Sequence, residues 1–376
     1  MNSSYEQVIS NPESIKEAIK ARAFSLGFSL CGITDNSPLE SYARYEQWLE
    51  KGYHGEMAYL ATERHRHMRA DPRHLVPWVN SILVLATPYP LTDESTETNT
   101  GWIAGYVGQR DYHLTLPERG NELMRSLQTE FNLTFDWQIF CDSSPVLERE
   151  LAVRAGLGWI GKNSCLINPQ YGSALLLCEI FLSLPLPADA PFTKDYCGTC
   201  HRCSDQCPTR CILPERSVDA RRCISNLTIE NKNEIPAALM EPIGQHLFGC
   251  DRCQIVCPWN RKNRGSLNKT SQRSLAEMQK ELLLSAAEFK QRYHEHPLSR
   301  AKRRGWVRNL CTVLGNLCDP SSLPSLQEVF LDDPEPLCRL AAARAIIQID
   351  PTDGKQFLLE HVAHLSTEER KQITSL

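Results

Sequence analysis

The sequence predicts an α+β protein in three parts, and three observations lead to this organisation. Residues 1–185 mix helical segments with short apolar runs of strand length, which indicates an α/β domain. Residues 186–265 contain nine of the 16 cysteines, so the second domain is organised by thiol chemistry. Residues 266–376 are helical and repeat a pattern of small and aliphatic residues, which indicates a helical-repeat domain.

The composition is ordinary for a globular protein. The 376 residues are 41% hydrophobic and 23% charged, and no apolar run approaches the length of about 20 residues that spans a bilayer. The polar start MNSSYEQVIS has no apolar signal segment, so we expect a cytoplasmic, reduced monomer without a membrane partner. The formal net charge of -4 excludes a generally basic coat for nucleic acid, so any RNA contact must be local.

The assignment of the first domain rests on two apolar runs. Residues 81–86 read SILVLA and residues 174–182 read ALLLCEIFL, which is the length and composition of buried strands. The proline-rich residues 184–191 then break regular structure. We therefore expect the first domain to end near residue 185.

The cysteines of the second domain have the spacing of two cubane iron–sulfur clusters. They are arranged as Cys197-x2-Cys200-x2-Cys203-x3-Cys207-Pro208, a lone Cys223, and Cys250-x2-Cys253-x3-Cys257-Pro258. In two-cluster ferredoxins, three thiolates of a tight loop bind one cluster and the cysteine before proline crosses to the other cluster. The second motif lacks one cysteine, and Cys223 is the natural replacement. The predicted ligands are Cys197, Cys200, Cys203 and Cys257 for one 4Fe–4S cluster, and Cys207, Cys223, Cys250 and Cys253 for the other.

Two other uses of these cysteines fit the spacing less well. A zinc site needs four ligands for one ion, which leaves no use for the third cysteine of the triplet or for two Cys-Pro pairs. Disulfides need an oxidising compartment, and the remaining cysteines are scattered singly through apolar runs. Cys211 has no ligand role in this scheme, and we interpret it as a small buried side chain.

The third domain is predicted from a repeat of 31 residues. Residues 308–317 are followed by Asp319-Pro320, and the similar residues 339–348 are followed by Asp350-Pro351. This period, with apolar residues at helical spacing, resembles HEAT-type helical pairs.

A basic cluster lies at the start of the first repeat. Its charges could belong to a solvated helix end or to a phosphate-binding patch, and the pattern alone leaves both open. The cluster consists of Arg300, Lys302, Arg303, Arg304 and Arg308.

A loop in the first domain carries the acidic residue Asp142. Residues 137–141 are apolar and strand-like, and Ser144 followed by Pro145 has the pattern of an N-cap and first residue of a helix that Gly156 ends. Asp142 therefore lies between a strand and a helix. A carboxylate there can cap the helix or act as an acid, and position alone favours capping.

Several stretches closely resemble the epoxyqueuosine reductase family. The most specific is Asp142-Ser143-Ser144-Pro145-Val146-Leu147-Glu148-Arg149, joined in one chain to the double cysteine motif. The resemblance runs from about residue 10 to 265 and continues more weakly into the helical C-terminus. It is also carried by residues 52–60, GQRDYH at 108–113, GLGWIGKN at 156–163, DARRCIS at 219–225, LTIE at 227–230, FGCDRCQ at 248–254 and CPWN at 257–260.

The resemblance implies an enzyme that uses cobalamin and two 4Fe–4S clusters to remove the epoxide oxygen from epoxyqueuosine at the wobble position of tRNA. This is the last step of queuosine synthesis. The implied architecture is a reductive-dehalogenase-like cobalamin-binding domain, a two-cluster ferredoxin-like domain and a HEAT-like tRNA-binding domain. The family binds cobalamin without a lower histidine, and this chain has no D-x-H-x-x-G motif, because Leu116 stands where the glycine would be. Cys141 is a departure, since relatives commonly have an aliphatic residue there.

The resemblance also implies roles for individual residues. Asp142 would be the proton donor, so burial beside the corrin and the nucleoside must raise its pKa above the ordinary value of about 3.9. The basic cluster would hold the tRNA anticodon arm, and a carrier such as flavodoxin or ferredoxin would supply electrons. The implied cobalamin pocket is Tyr106, Asp142, Asn163, Ser164, Tyr171, Gly172, Ser173, Ser225 and Thr228.

Two other functions are compatible with parts of the sequence. A cobalamin-dependent reductase of another substrate, such as an organohalide, would share the cofactors, but the chain has no twin-arginine export signal and carries the basic helical C-terminus. A protein that only transfers electrons and has no substrate site would not explain the residues that precede the cysteine motifs.

Overall fold

A four-stranded antiparallel sheet forms the centre of the N-terminal region in the computed structural model, which describes residues 11–91, 99–263 and 271–376. The two predicted apolar runs become its central strands, β2 (Ser81–Pro88) and β7 (Leu175–Leu182), which pair along their whole length. Both faces of these strands are covered, which explains their nearly continuous apolar sequence. The outer strands are β1 (Leu30–Thr34) beside β2 and β4 (Trp137–Phe140) beside β7.

Helices cover both faces of this sheet. On one face, α1 (Pro12–Ser25) and α5 (Tyr112–Phe131) pack against the strands, and on the other face α6 (Glu148–Arg154) does so. The predicted α/β domain is therefore confirmed. The remaining elements of this region are α2 (Tyr42–Glu50), α3 (Glu63–Ala70), α4 (Pro72–Leu75), β5 (Trp159–Ile160) and β6 (Leu166–Ile167).

A small mixed sheet joins the N-terminal, cysteine-rich and helical regions. Strand β3 (Thr100–Ile103) pairs in parallel with β10 (His246–Phe248) and antiparallel with β11 (Gln272–Ser274). The predicted boundary at residue 185 falls in an irregular segment, and the one at residue 265 lies outside the described residues. The boundaries therefore stay a prediction. The other elements of the cysteine-rich region are α7 (Arg202–Asp205), β8 (Ile212–Leu213), β9 (Ser217–Val218), α8 (Ile224–Ile229), α9 (Ala237–Ile243) and α10 (Arg252–Ile255).

The C-terminal region consists of packed helices, as predicted. The two repeat segments form α13 (Lys302–Leu317) and α15 (Pro336–Ile349), which share one apolar core. Asp319 caps the turn after the first by accepting the Ser321 N–H at 2.9 Å. In the part of the chain that the structure describes, no helix is both long enough and apolar enough to cross a bilayer. The other helices are α11 (Leu275–Leu282), α12 (Ala286–Arg292), α14 (Leu323–Asp332), α16 (Asp353–His361) and α17 (Thr367–Thr374).

Arg308 fastens the helical region to the cysteine-rich region. Its side chain is buried, and its guanidinium donates to the carbonyl of Asn231 at 2.8 Å, of Asn233 at 2.7 Å and of Leu227 at 2.8 Å. The expectation that Arg308 contacts tRNA is therefore wrong, because a buried guanidinium with these acceptors cannot reach a phosphate. Arg303 is similarly engaged, since its Nη2 lies 2.5 Å from a carboxylate oxygen of the buried Asp333.

Replacing Arg308 with methionine should lower the free energy of unfolding by roughly 3 kcal/mol or more. Three carbonyls lose their donor, and a buried polar group without a partner costs about 1–3 kcal/mol. Urea denaturation of the full chain would measure the change. The control is Arg304→Met on the same helix, where the side chain is exposed and a change within about 0.5 kcal/mol is expected. Equal stability of the two variants would contradict the structural role of Arg308.

Candidate active site

Asp142 occupies a strained position directly after strand β4. Its φ of 57° lies in the left-handed region, which residues other than glycine rarely adopt. Its side chain is 60% exposed, so the carboxylate faces solvent, and we call the space around it the Asp142 cleft. Strain of this kind is found most often where a side chain has to be aimed at a ligand.

The helix after Asp142 begins later than the sequence predicts. Its first residue is Glu148, and Leu147 precedes it without any side-chain cap. Ser144 and Pro145 are not the N-cap and first helical residue, because a tight turn closed by the Val146 N–H and the Ser144 carbonyl at 2.8 Å takes their place.

Two donors from the start of helix α5 hold the Asp142 carboxylate. The Tyr112 hydroxyl donates to Oδ2 at 2.8 Å, and Nε2 of His113 lies 3.3 Å from the same oxygen. Asp111 fixes the orientation of His113, since its Oδ1 accepts the backbone N–H of His113 at 3.0 Å and lies 2.7 Å from Nδ1 of the ring. Asp142 therefore does not cap α6, and the capping interpretation is wrong.

The charges of this group differ from the sequence expectation. Burial raises the pKa of Asp142, but the hydrogen bonds of His113 and Tyr112 outweigh it, so the pKa lies below its usual value. Burial lowers the pKa of His113, but the carboxylates of Asp111 and Asp142 outweigh it and raise the pKa to about 9. At neutral pH the proton of the pair therefore resides on His113, and Asp142 is ionised.

Residues from two other parts of the chain stand at the mouth of the cleft. Tyr59 is 42% exposed, and its hydroxyl and the Arg300 guanidinium are close enough to Asp142 for their charges to interact. Arg300 is oriented by Glu230, with distances of 2.7 Å and 3.0 Å between paired nitrogen and oxygen atoms. One member of the predicted basic cluster thus lies beside the candidate acid.

A row of tyrosines leads from Asp142 towards the cysteines. The ring of Tyr106 packs edge-on against Tyr112 at 5.9 Å and against Tyr89 at 6.0 Å. The Tyr89 hydroxyl accepts a hydrogen bond from Gln254 at 2.8 Å, and Gln254 follows Cys253 in the chain. The cleft and the second predicted cluster site therefore share one wall.

Neighbouring cysteines lie in two groups, and the assignment of the ligands to two clusters stays a prediction. Cys257 is surrounded by the first triplet: burial, and then the thiolates of Cys197, Cys203 and Cys200, raise its pKa to about 11. Cys253 has Cys250 and Cys223 among its neighbours instead. The indole of Trp159 donates to Cys197 at 3.5 Å and belongs to an aromatic cage with Phe192, Tyr196 and Trp259.

Two further cysteines lie against the second group. Sγ of Cys211 is 3.4 Å from Sγ of Cys207, and its thiol is close enough to Cys223 to interact with it. Cys165 is likewise close enough to Cys253 to interact with it. Cys211 is buried, as expected, but it lies among the predicted ligands, and the sequence pattern did not indicate this.

The arrangement of these thiols does not suit a single metal ion. Within residues 11–91, 99–263 and 271–376, no three His, Cys, Asp or Glu side chains converge on a point where one ion could be held. A structural zinc needs four ligands within about 2.3 Å. A cubane cluster is a larger body whose four thiolates bind different iron atoms.

The residues predicted for the cobalamin pocket separate into three sets. Tyr106 and Asp142 line the cleft. Asn163 is buried, and its Oδ1 accepts the N–H of Cys165 at 3.3 Å. Thr228 and Ser173 are buried and their hydroxyls bond within the protein, so a cofactor contact through these groups is not supported. The half-buried members are Ser164, whose hydroxyl donates to the Arg216 carbonyl at 2.6 Å, Tyr171 and Ser225.

Gly172 has a role different from the predicted one. Its φ is 69°, and a Cβ atom there would collide with the side chain of Asn260. Asn260 accepts the Ser173 N–H at 2.7 Å and donates to the Gln254 carbonyl at 2.7 Å. Gly172 therefore allows the cysteine-rich loop to pack on the sheet domain through Asn260.

Two family models match this chain. Residues 69–143, which include Asp111, His113 and Asp142, match the family described as epoxyqueuosine reductase QueG, DUF1730. Residues 196–260 match the 4Fe-4S double cluster binding domain.

Curated relatives match over most of the chain. An epoxyqueuosine reductase of Pseudomonas aeruginosa is 40% identical over 326 residues, which are 84% of this chain and 89% of the relative. That of Escherichia coli K12 is 37% identical over 311 residues, covering 80% and 81%.

Solved structures agree over nearly the whole length. A crystal structure of epoxyqueuosine reductase with an epoxyqueuosine-modified tRNA-Tyr stem loop has a TM-score of 0.87 and 28% identity, covering 97% of this chain and 98% of that one. A Bacillus subtilis epoxyqueuosine reductase, solved with its catalytic aspartate loop swung out of the active site, has a TM-score of 0.86 and 28% identity, with coverage of 97% and 98%.

Replacing Cys223 with alanine should remove about half of the iron from anaerobically reconstituted protein, because one predicted cluster loses a ligand. The matched control is Cys211→Ala, a buried cysteine in the same group without a predicted ligand role, which should keep its iron. Iron and sulfide analysis would compare the two. Loss of iron from Cys211→Ala together with full iron in Cys223→Ala would exchange their roles.

Proposed function

This chain belongs to the epoxyqueuosine reductase family, and we propose that it reduces epoxyqueuosine to queuosine at the wobble position of tRNA, the last step of queuosine synthesis. The observation that carries the proposal is the cleft in which Asp142 and the proton-bearing His113 share a wall with the second cysteine group. A proton source and an electron source meet in one place. An electron-transfer adaptor would need only the second of these.

The cofactors are two 4Fe–4S clusters and a cobalamin, and the chain offers polar groups that fit the latter. Nδ2 of Asn163 and Oδ1 of Asn226 are buried and have no hydrogen-bond partner within the described residues. Both lie next to the second cysteine group, Asn163 through Cys165 and Asn226 through its N–H to Cys223. We infer that these amides and Tyr106 hold the peripheral amides of the corrin. When bound, cobalamin supplies an electron-rich metal centre to the epoxide carbon.

The residues of the cleft supply the proton for the departing oxygen. Each reduction takes two electrons and two protons, breaks the carbon–oxygen bonds of the epoxide and releases water. We infer that Asp142 donates to the oxygen and receives its proton from His113, 3.3 Å away. Substrate covering the exposed carboxylate removes water from it, which favours its neutral form and draws the proton from His113.

The electron carrier is expected to dock on the loop of the first cysteine group. Cys200 and Cys203 are only half-buried there, and Gly198, Thr199 and His201 around them are exposed. Lys162 fixes this loop by donating to the carbonyl of Gly198 at 2.7 Å and of Cys200 at 2.9 Å. A flavodoxin- or ferredoxin-type protein could therefore approach the first cluster without moving the second. We place the reaction in the cytoplasm, where tRNA is found, and expect a monomer.

The tRNA surface that we propose is narrower than the basic cluster in the sequence. Arg300 stands at the mouth of the cleft, and Lys302 and Arg304 are exposed. Arg303 and Arg308 are engaged within the protein. Arg300 beside the cleft and the exposed Lys302 and Arg304 that follow it in the chain are suited to phosphates flanking the wobble base, which must leave its stack to reach Asp142.

Reduced, reconstituted protein should convert epoxyqueuosine in tRNA to queuosine, and Asp142→Asn should slow this conversion by about 100-fold or more. Asparagine keeps the shape and the bond to Tyr112 but cannot carry the proton. The measurement is mass spectrometry of nucleosides after a timed reaction, with iron and corrin contents checked as controls. Normal turnover in the variant would remove Asp142 from proton transfer, whereas absence of turnover in the wild type would refute the function.

The pH dependence of the same reaction gives a second readout. Because the pKa of His113 is raised to about 9, its ring carries the proton below that pH. The protonated ring, and with it the stabilising contact to Asp142, is fully present below the unfolded value of about 6.5 and is lost as pH rises through about 9. Turnover should therefore fall as pH passes about 9, and His113→Gln should abolish this limb. An unchanged profile in His113→Gln would show that another group supplies the proton.

Alanine at both Lys302 and Arg304 should weaken binding of the tRNA anticodon arm and flatten its salt dependence, because each phosphate contact adds about 0.9 to the salt slope. Filter binding across a salt series would measure both effects. The control is alanine at Lys355 and Lys371, two exposed lysines on α16 and α17. Equal binding by both double variants would assign the charges at Lys302 and Arg304 to a solvated helix end.

A further inference from the structure

A buried carboxyl in the central sheet is not used by the reaction described so far. Glu179 lies in the middle of strand β7, opposite Val84 of β2 and Phe140 of β4. It is 0% exposed, and its neighbours on this face are mainly apolar side chains of the sheet and of α6. Burial of a charge at such a place is strongly unfavourable unless the charge is paired.

In the described ranges, the carboxyl group of Glu179 has no donor that would compensate a negative charge. Within the described residues, neither oxygen of Glu179 receives a hydrogen bond from a donor group. The carboxyl group of Glu148, the first residue of the helix α6 that covers this face, is close enough to interact with it. Two carboxylates form a hydrogen bond only if a proton lies between them.

The surroundings favour retention of that proton. Burial, and then the charge of Glu148, raise the pKa of Glu179 well above its usual value. Burial, and then the charge of Asp142, raise the pKa of Glu148 to about 7. In the described part of the chain, the charged and titratable groups that act on the pair are the cation Arg149 and the acidic groups of Asp142, Cys178 and Cys141.

Glu148 connects this pair directly to the candidate acid. Its Oε1 accepts the backbone N–H of Asp142 at 2.6 Å. Asp142 is held in the left-handed region, which is unfavourable for residues other than glycine, and its side chain is largely exposed. The contact with Glu148 therefore anchors the backbone of a residue whose conformation is unfavourable by itself.

We propose that Glu148 and Glu179 share one proton, and that this acid pair positions Asp142 in the cleft. Glu179 holds the Glu148 side chain in place through the shared proton, and Glu148 then fixes the Asp142 backbone so that its carboxylate meets Tyr112 and His113. Both are positioning residues and neither touches the substrate. The role rests on the proposed function, since that function gives Asp142 a reaction to be positioned for.

The shared proton can be observed without substrate. Infrared spectra of the full chain with both clusters, near pH 8 in H2O and in D2O, should show the carbonyl stretch of a protonated carboxylic acid. Exposed carboxyls are ionised at this pH. In Glu179→Gln the amide donates to Glu148 in place of the proton, so the fold should persist and the signal should disappear. Absence of the signal from the wild type, or its persistence in this variant, would overturn the shared proton.

The positioning role has a separate measurement. Hydrogen exchange of residues 142–146 should be about tenfold faster in Glu148→Ala, because the loop loses its acceptor. The matched control is Glu150→Ala on the same helix, which loses its bonds to the N–H groups of Glu40 and Ser41, both at 2.8 Å, but none to the loop. Equal exchange of the loop in both variants would refute the positioning role. Because neither measurement involves epoxyqueuosine, failure of the pair and failure of the proposed function would be distinguished.

Discussion

The need to bring four thiolates to each iron–sulfur cluster determines how the rest of the molecule is joined. Cys257 lies with the first triplet, while Cys253, four residues earlier, lies with Cys223 and Cys250. The second cysteine motif therefore lies between the two groups. Asn260, which follows this motif, connects it to the sheet domain by hydrogen bonds with Ser173. The second cluster site is thereby placed against the wall of the Asp142 cleft. The predicted cluster ligands therefore also determine where Asp142 lies relative to the second cluster site.

Carboxyl groups in two contrasting environments surround this cleft. Asp142 is open to solvent and bonded to Tyr112 and His113, which favours its charged form. Glu179 lies in the apolar sheet without a donor among the described residues, which favours its neutral form. Such a division of pKa values between neighbouring carboxyls is the usual way in which one fold provides an acid and its support. The ionised Asp142 faces solvent, where substrate would bind, and the Glu148–Glu179 pair contacts its backbone from the protein interior.

The sequence was most informative where a local pattern decides the structure. The central strands, the cysteine groups and the paired C-terminal helices all follow from spacing along the chain. It was least informative where partners are distant in sequence. Tyr112 and His113 meet Asp142 only because α5 and β4 pack on the same sheet, a contact that the family motif containing them does not reveal. Glu179 lies inside the apolar run that correctly predicted strand β7, and nothing in that run indicated a functional role for it.

Two local sequence patterns led to wrong predictions, a basic cluster and a helix start. Arg308 looks like part of a basic patch, but tertiary packing turns it inward to three backbone carbonyls. Ser144 and Pro145 have the residues of a helix start, but a tight turn leaves the helix to begin at Glu148. Long-range contacts override the local pattern at Arg308, whereas a tight turn within the loop does so at Ser144 and Pro145.

The central claim is that this one cleft reduces epoxyqueuosine within tRNA. The most direct measurement is nucleoside mass spectrometry of bulk tRNA from a strain that lacks its own epoxyqueuosine reductase and expresses this chain. The account predicts that epoxyqueuosine disappears and queuosine takes its place. Epoxyqueuosine that persists while the cells contain folded protein with both clusters and corrin would contradict it.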